Sequence, residues 1–304
     1  MINPILASSA LRRMRSAKTL VIVGAYVLVL MGAALALLTP FLGRGPVSVG
    51  EMQSGLTAFI VLMLAQFFLI VLVTPAMTAS SIAGERERQT LELLLVTNTG
   101  SYAIVLGKWM ESFAFMALLI CCGLPVTALS MLPGGVTVTS LILGEMFLLV
   151  CALAASSVGV LCSSFMKSTV GATVVSYLML LLIGVGTLTP LLNGITNAMA
   201  GRLYDTAKYA AMTPLDGVKM MPKLLFLNPG VGLVSLIEDQ VAAVQNLFAG
   251  SRGRLYALFL IMKKIGYGTV ALINMGAMAA LAAVFSGIAA LLVRPGKVRV
   301  REKK

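Results

Sequence analysis

The chain has 304 residues, of which 59% are hydrophobic and 11% are charged, and this composition excludes a soluble globular domain. Its formal net charge of +12 fits basic loops beside anionic lipid better than nucleic-acid binding, because no basic stretch is interleaved with aromatic residues. Several apolar runs of about 20 residues predict membrane-spanning helices, and the sequence lacks the short alternating segments of a spanning β-barrel. We therefore predict an all-α polytopic membrane protein with membrane lipids, and no nucleic acid, as partners.

The first part of the chain predicts a surface helix followed by two spans. Residues 1–18 carry basic side chains that suit lipid headgroups, so we expect an N-terminal interfacial helix there. The first span is predicted over Leu20–Leu38 and the second over Leu56–Met77. Gln66 lies inside the second span, where its amide can bond to a neighbouring helix or serve as an intramembrane polar group.

The segment 80–109 follows the second span and is too polar to lie in lipid. Its charged residues are Glu85, Arg86, Glu87, Arg88, Glu92 and Lys108. Ser80 or Ser81 is expected to cap a helix that runs on to Leu95, because a serine hydroxyl accepts bonds from free N–H groups at a helix start. This segment alone would also fit an ordinary water-exposed loop between two spans.

Spacing predicts how the charges of this segment meet. Glu85 and Arg88 are three residues apart, and Arg88 and Glu92 are four apart, so each pair can meet on a helix surface. A second helix is expected to begin at Ser101 and to lead into the next span. Trp109 is expected at the bilayer interface, which favours tryptophan.

Four further spans complete the prediction. They are expected at about Ser112–Leu132, Leu141–Phe165, Val170–Leu192 and Gly266–Val293. The fourth contains small residues between Ala152 and Gly159, which would let another helix approach closely. The loop 193–265 is predicted to carry an amphipathic surface or re-entrant helix that starts with Asn228 as cap and Pro229 as the first helical residue. We predict one transmembrane domain over residues 1–304.

Glu145 is an acidic residue predicted to lie near the outer end of the fourth span. A carboxylate in a span is a candidate functional group, although one close to the membrane surface can also reach water. The sequence does not choose between these two interpretations.

Several kinds of chemistry have no support in the sequence. There is no G-x-x-x-x-G-K-[ST] motif to bind ATP phosphates, and there is no histidine. The four cysteines lie within or at the ends of apolar runs, so neither disulfides nor zinc sites are expected. We predict no catalytic residue, no metal site and no cofactor bound by this chain.

The polar segment resembles the coupling segment of ABC-2-type permeases, the transmembrane subunits of ATP-binding-cassette transporters. Their pattern runs roughly I-A-x-E-R-E-x-G-T-L-E-x-L-L, followed after a turn by L-G-K. The matching residues here are Ile82, Ala83, Glu85, Arg86, Glu87, Thr90, Leu91, Glu92, Leu94, Leu95, Leu106, Gly107 and Lys108. The sequence departs from the pattern at Gln89, where glycine is usual, and at 97–99, where a Ser/Thr-Pro turn is common.

The resemblance implies a function and a set of partners. It implies an exporter in which two permease subunits, identical or paralogous, associate with two ATPase subunits that bind ATP and magnesium. It assigns ATPase coupling to Glu85, Arg86, Glu87, Arg88, Thr90, Leu91, Glu92, Leu95, Gly107 and Lys108. The cytoplasmic coupling helix between the second and third spans would carry the movement of the ATPases into the membrane.

Charge distribution predicts the orientation. With six spans, both termini lie on one side, together with the coupling segment and Lys167. This basic side is expected to be cytoplasmic, in the plasma membrane (the inner membrane of an envelope with two). The loop 193–265 would then be extracytoplasmic despite its basic residues, because loops longer than about 60 residues follow the charge rule poorly.

Three other functions are compatible with the sequence. One is a secondary transporter or channel that uses Glu145 and Gln66 without an ATPase, and another is a membrane scaffold of the same fold that transports nothing. An intramembrane enzyme has the least support, because acid and base groups are so few. The sequence does not identify the substrate or decide between a homodimer and a heterodimer, and it does not tell whether residues 224–248 lie on, dip into or cross the membrane.

Overall fold

Long apolar runs of the sequence form long helices. The computed structural model describes residues 17–39, 49–90, 101–187, 223–238, 262–263 and 265–293, and these contain no β-strand. In chain order the α-helices of this part are α1 (Ala17–Leu38), α2 (Val49–Thr78), α3 (Ala83–Glu87), α4 (Ser101–Ala128), α5 (Val138–Phe165), α6 (Thr169–Leu181), α7 (Pro229–Glu238) and α8 (Tyr267–Leu292). A π-helical turn at Leu182–Gly186 extends α6, and 3₁₀ turns occupy Leu129–Met131 and Lys223–Leu227.

Six of these helices are long and apolar enough to cross a membrane. They are α1, α2, α4, α5, α6 with its π-helical extension, and α8. The predicted all-α fold with six spans is therefore confirmed. The N-terminal segment before residue 17, most of the loop 193–265 and the basic tail lie outside the described residues.

The start of α2 and the end of α6 differ from the prediction, whereas the start of α4 agrees with it. α2 begins at Val49, before the predicted Leu56, and its first turns include the good helix formers Glu51, Met52 and Gln53. α4 begins at Ser101 and continues into the third span as one helix, as the sequence predicted. The regular α-helical part of α6 ends at Leu181, earlier than predicted, and the π-helical turn follows it.

α5 is the central helix of the bundle. It contacts α2, α4, α6, α7 and α8. Its small residues, among them Ala152, Ser156 and Gly159, are buried, as the sequence predicted. By contrast, α1 and α6 expose many apolar side chains to the surroundings, for example Leu28, Leu178 and Leu181.

The short helix α7 packs inside the bundle against α5 and α8. Asn228 caps it as predicted, because its Oδ1 accepts a hydrogen bond from the Gly230 N–H at 2.8 Å. The Asn274 amide on α8 donates to the backbone oxygens of Phe226 (2.7 Å) and Asn228 (2.9 Å), which ties the start of α7 to the last span. Leu233 and other residues of α7 are buried.

The closest approach of α2 and α5 depends on Gly159. A Cβ at this position would overlap the Thr78 hydroxyl and lie 2.6 Å from the Thr78 Cβ. We expect Gly159→Ala to lower the free energy of unfolding by about 1–3 kcal/mol, the usual cost of overpacking. Thermal unfolding of the purified chain measures the effect.

The matched control is Gly24→Ala on the exposed side of α1, where no atom lies within 4 Å of an added Cβ. Alanine is favoured over glycine in a helix by roughly 1 kcal/mol, so this variant should be as stable as the wild type or more so. Equal destabilisation by both substitutions would contradict the close packing at Gly159.

Candidate functional site

The candidate site is α3, which we call the coupling helix after the predicted coupling segment in which it lies, together with its contacts to the ends of the spans. Its first N–H groups are satisfied from another helix: Ile82 and Ala83 donate to the Ser163 hydroxyl of α5 at 3.0 and 2.8 Å. That hydroxyl donates in turn to the Ala79 carbonyl at 2.7 Å. The predicted caps are wrong, because Ser80 points back to Met77 and the buried Ser81 hydroxyl makes no hydrogen bond.

α3 ends at Glu87, whereas the sequence predicted a helix as far as Leu95. Gln89 has a φ of +59°, and the N–H groups of Gln89 and Thr90 donate to the carbonyls of Arg86 (3.0 Å) and Glu85 (2.9 Å). This is the Schellman pattern, whose left-handed position usually holds glycine because glycine has no Cβ. The left-handed turn explains why glycine is common at this place in the pattern. The predicted pair of Arg88 and Glu92 involves a residue outside the described part of the chain.

Glu85 links α3 to α4. Its Oε1 lies 3.2 Å from Lys108 Nζ, and the two side chains are only 29% and 26% exposed. Its Oε2 accepts a hydrogen bond from the Thr90 hydroxyl at 2.5 Å. Glu85 therefore pairs with Lys108 rather than with Arg88 as the spacing predicted, and partial burial makes this ion pair stronger than a fully exposed one.

Arg86 links α3 to the C-terminus of α5. Its two terminal nitrogens donate to the carbonyl oxygens of Met166 (2.7 Å) and Ser164 (2.8 Å). The last carbonyls of a helix have no partner within the helix and carry its negative dipole end, so a guanidinium is well suited to this place. Arg86 thus has a structural role that its sequence position did not reveal.

Glu87 links α3 to the N-terminus of α6. Its Oε2 accepts a hydrogen bond from the Thr169 N–H at 3.2 Å, in the first turn of α6, where a negative charge is favoured. Glu87 at the end of α3 is exposed, and so are Arg88 and Gln89 in the turn that follows it. Leu91, Glu92 and Leu95 lie outside the described residues.

The other predicted coupling residues lie on α4. Gly107 and Lys108 are half-buried in its third turn. Trp109 is only 9% exposed, and its indole N–H donates to Ser156 (3.0 Å) and to the Leu153 carbonyl (3.3 Å) on α5. Trp109 is therefore held against α5 by a serine inside the protein, and its predicted level at the bilayer interface stays a prediction.

The two intramembrane polar residues belong to a separate group. Glu145 is 4% exposed, and its Oε1 accepts a hydrogen bond from the Thr127 hydroxyl at 2.7 Å. Gln66 is fully buried nearby and faces both Glu145 and Tyr26. Glu145 is therefore a carboxylate buried within a span and does not reach the surface of the protein. About 27 Å of helix, at 1.5 Å per residue, separates Glu145 from Ser163 along α5.

Sequence reasoning missed the residues that receive the coupling helix. These are Ser163 and the Ser164, Met166 and Thr169 backbone groups at the α5–α6 junction. The polar stretch that follows the apolar run of α5 was a usable signal, since serines there can satisfy backbone groups of a neighbouring segment.

The family comparison covers almost the whole chain. Residues 4–294 match the model of the family described as ABC-2 family transporter protein. No curated protein matches the chain significantly. The match includes α3, its receiving residues and the buried group around Glu145.

We expect Ser163→Ala to loosen the coupling helix. The substitution leaves two N–H groups at the start of α3 without their acceptor, which costs about 1–3 kcal/mol when the groups are buried. The expected results are a lower unfolding temperature and faster amide hydrogen exchange in residues 79–87.

Ser157→Ala is the matched control, because the buried Ser157 hydroxyl donates only to the Ala154 carbonyl of its own helix, at 2.7 Å. Exchange in residues 79–87 should stay at the wild-type rate in this variant. The capping role of Ser163 would be contradicted if both alanine variants exchanged alike there.

Proposed function

Since the chain belongs to the ABC-2 family of transporter proteins, we propose that it is the membrane-spanning permease subunit of an ABC exporter and that α3 couples it to separate ATPase subunits. The resemblance in the coupling segment and the family match support the same assignment. ABC-2 permeases work with ATP-binding subunits, and the six apolar helices fit a multi-pass membrane protein.

One observation carries the coupling role: α3 is bonded to three different spans. Glu85 reaches Lys108 on α4, Arg86 reaches the carbonyls at the end of α5, and Glu87 reaches the first turn of α6. α3 also follows directly on α2. A force applied to α3 would therefore be transmitted to four spans at once, which is what a coupling helix requires.

The contacts divide the predicted coupling residues into two roles. Glu85, Arg86 and Lys108 hold α3 to the bundle and are unsuited to leave it for a partner. Arg88 and the neighbouring exposed side chains face outward, and we assign ATPase contact to them. The coupling roles of Leu91, Glu92 and Leu95 remain predictions.

We place ATP and magnesium in the partner subunits. The sequence has no phosphate-binding loop, and we infer two ATPase copies and a second permease, identical or paralogous. The exposed apolar side chains of α1 and α6 support an arrangement in which lipid and a second permease surround these helices. The transported substrate is open.

The orientation we propose puts α3 and both termini in the cytoplasm, in the plasma membrane. α7 would then belong to the extracytoplasmic side, and its burial between α5 and α8 supports a re-entrant helix. The positive charge near α3, including Lys167, agrees with this orientation.

A transporter or channel without an ATPase is the second candidate function. The buried polar group around Glu145 favours it, because carboxylates in membrane interiors often belong to ion pathways. A scaffold that binds an ATPase but transports nothing is a third. Recovery of an ATPase with the chain separates the second candidate from the first, and a flux measurement separates the third.

We expect an ATPase subunit to co-purify with the tagged chain from its native membranes in mild detergent. Arg88→Glu should reduce its recovery at least tenfold, a loss of about 1.4 kcal/mol, because reversing a charge at an interface places like charges together. Mass spectrometry of the bound proteins gives the measurement.

Lys223→Glu is the control. Lys223 is exposed in the loop between α6 and α8, and its substitution by glutamate changes the charge by the same amount as Arg88→Glu. Its ATPase recovery should equal that of the wild type. If no ATPase co-purifies under conditions that preserve other membrane complexes, the proposed function fails.

A further inference from the structure

Four polar side chains from four different helices meet inside the apolar bundle. They are Tyr26 on α1, Gln66 on α2, Thr127 on α4 and Glu145 on α5, and none of them is more than 4% exposed. We call this group the polar cluster. Leu30, which is fully buried, lies beside it, because a Cβ at Gly123 would be 3.1 Å from the Tyr26 hydroxyl and 3.2 Å from Leu30 Cδ1.

Most of the polar atoms of the cluster have no hydrogen-bond partner. The Tyr26 hydroxyl, both amide atoms of Gln66 and Glu145 Oε2 are buried and unpaired. The Gln66 amide lies close to both the Tyr26 hydroxyl and the Glu145 carboxylate, but none of these pairs has the geometry of a hydrogen bond. Buried polar groups are nearly always satisfied in folded proteins, so these atoms point to a species bound between them.

A glycine leaves room for the cluster. A Cβ at Gly123 of α4 would overlap Gln66 Nε2 and lie 3.1 Å from the Tyr26 hydroxyl oxygen. Any larger residue at this position would push the Gln66 amide away from its neighbours. The absence of a side chain at Gly123 therefore allows Gln66 to lie next to Tyr26.

The charge of Glu145 defines the chemistry of the bound species. A carboxylate away from water needs a compensating positive charge, and the described helices place no cationic side chain against Glu145. Besides Glu145, the titratable groups at the cluster are its own member Tyr26 and the neighbouring Cys122. One carboxylate balances one positive charge, and the described residues contain no group of three acidic, histidine or cysteine side chains that would suit a more highly charged metal ion.

We propose that the polar cluster is a binding site for a monovalent cation, either a proton or an alkali-metal ion, held by Glu145. A proton on Oε2 would let Glu145 donate to the carbonyl oxygen of Gln66, whose N–H groups could then donate to Tyr26. An alkali-metal ion would be held by the oxygens of the same residues, which are the hard ligands such ions prefer. Both species cancel the charge of Glu145 and satisfy the unpaired atoms.

Binding at this site is linked to the arrangement of the spans. The ligands come from α1, α2, α4 and α5, so any movement that separates these helices separates the ligands. Cation occupancy must therefore favour the arrangement seen here over one in which the helices part. This inference does not depend on an ATPase, and it would stand if the proposed function failed.

The test uses the full chain in lipid nanodiscs and compares the wild type with Glu145→Gln. Thermal unfolding is measured in sodium, potassium and N-methylglucamine chlorides at equal ionic strength, and infrared spectra are recorded for the carbonyl stretch of a neutral carboxylic acid. Glu111→Gln is the matched control, because Glu111 is a second buried carboxylate that lies on α4 away from the cluster.

We expect one of two signals, present in the wild type and in Glu111→Gln and lost in Glu145→Gln. A neutral carboxylic-acid band identifies a proton, and stabilisation by sodium or potassium over N-methylglucamine identifies an alkali-metal ion. The proposal is overturned if the wild type shows neither signal, or if Glu145→Gln keeps them.

Gly123→Ala gives a second comparison that keeps the carboxylate, and it carries the test if Glu145→Gln does not fold. By displacing Gln66 it should shift the acid band or weaken the salt-specific stabilisation. An unchanged signal in Gly123→Ala would show that Gln66 takes no part, which would also overturn the site as proposed.

Discussion

The C-terminus of α5 is the point on which the coupling helix depends. A helix end leaves carbonyl oxygens without partners in the helix. Here the Arg86 guanidinium donates hydrogen bonds to two carbonyl oxygens at that end, those of Ser164 and Met166. The Ser163 hydroxyl, one turn earlier, supplies the acceptor for the start of α3. A five-residue helix cannot be stable alone, because helix nucleation is costly, so α3 has its shape because α5 completes its hydrogen bonds.

This dependence explains why charged residues that look equivalent in the sequence differ in role. Glu85, Arg86 and Glu87 follow one another, yet successive residues of a helix point in different directions and reach α4, α5 and α6 respectively. Contacts in three directions fix α3 both in position and in rotation. Glu85 and Arg86 are half-buried by these contacts, whereas Glu87, Arg88 and Gln89 stay exposed.

Much of the fold was predictable because hydrophobic length is a local property. The six spans, the small residues of α5 and the start of α7 at Asn228 and Pro229 each depend on neighbouring residues in the sequence. The errors concern partners that are distant in the sequence. Ser163 caps α3 in place of Ser80, and Lys108 replaces Arg88 as the partner of Glu85. Ser156 on α5 accepts the hydrogen bond of the buried Trp109 indole. Spacing along one helix contains no information about which other helix supplies the better partner.

The contacts of α3 and the polar cluster both involve α5, which gives them a physical connection. α5 receives α3 near Ser163 and contributes Glu145 to the polar cluster about 27 Å away, at 1.5 Å of rise per residue. A helix packed on several sides moves as a rigid rod more easily than it bends, because the interior around it is close-packed. A displacement of α5 at its α3 end would therefore move Glu145 relative to Tyr26 and Gln66.

By linkage the effect is reciprocal: whatever alters the position of Glu145 alters the free energy of moving α3.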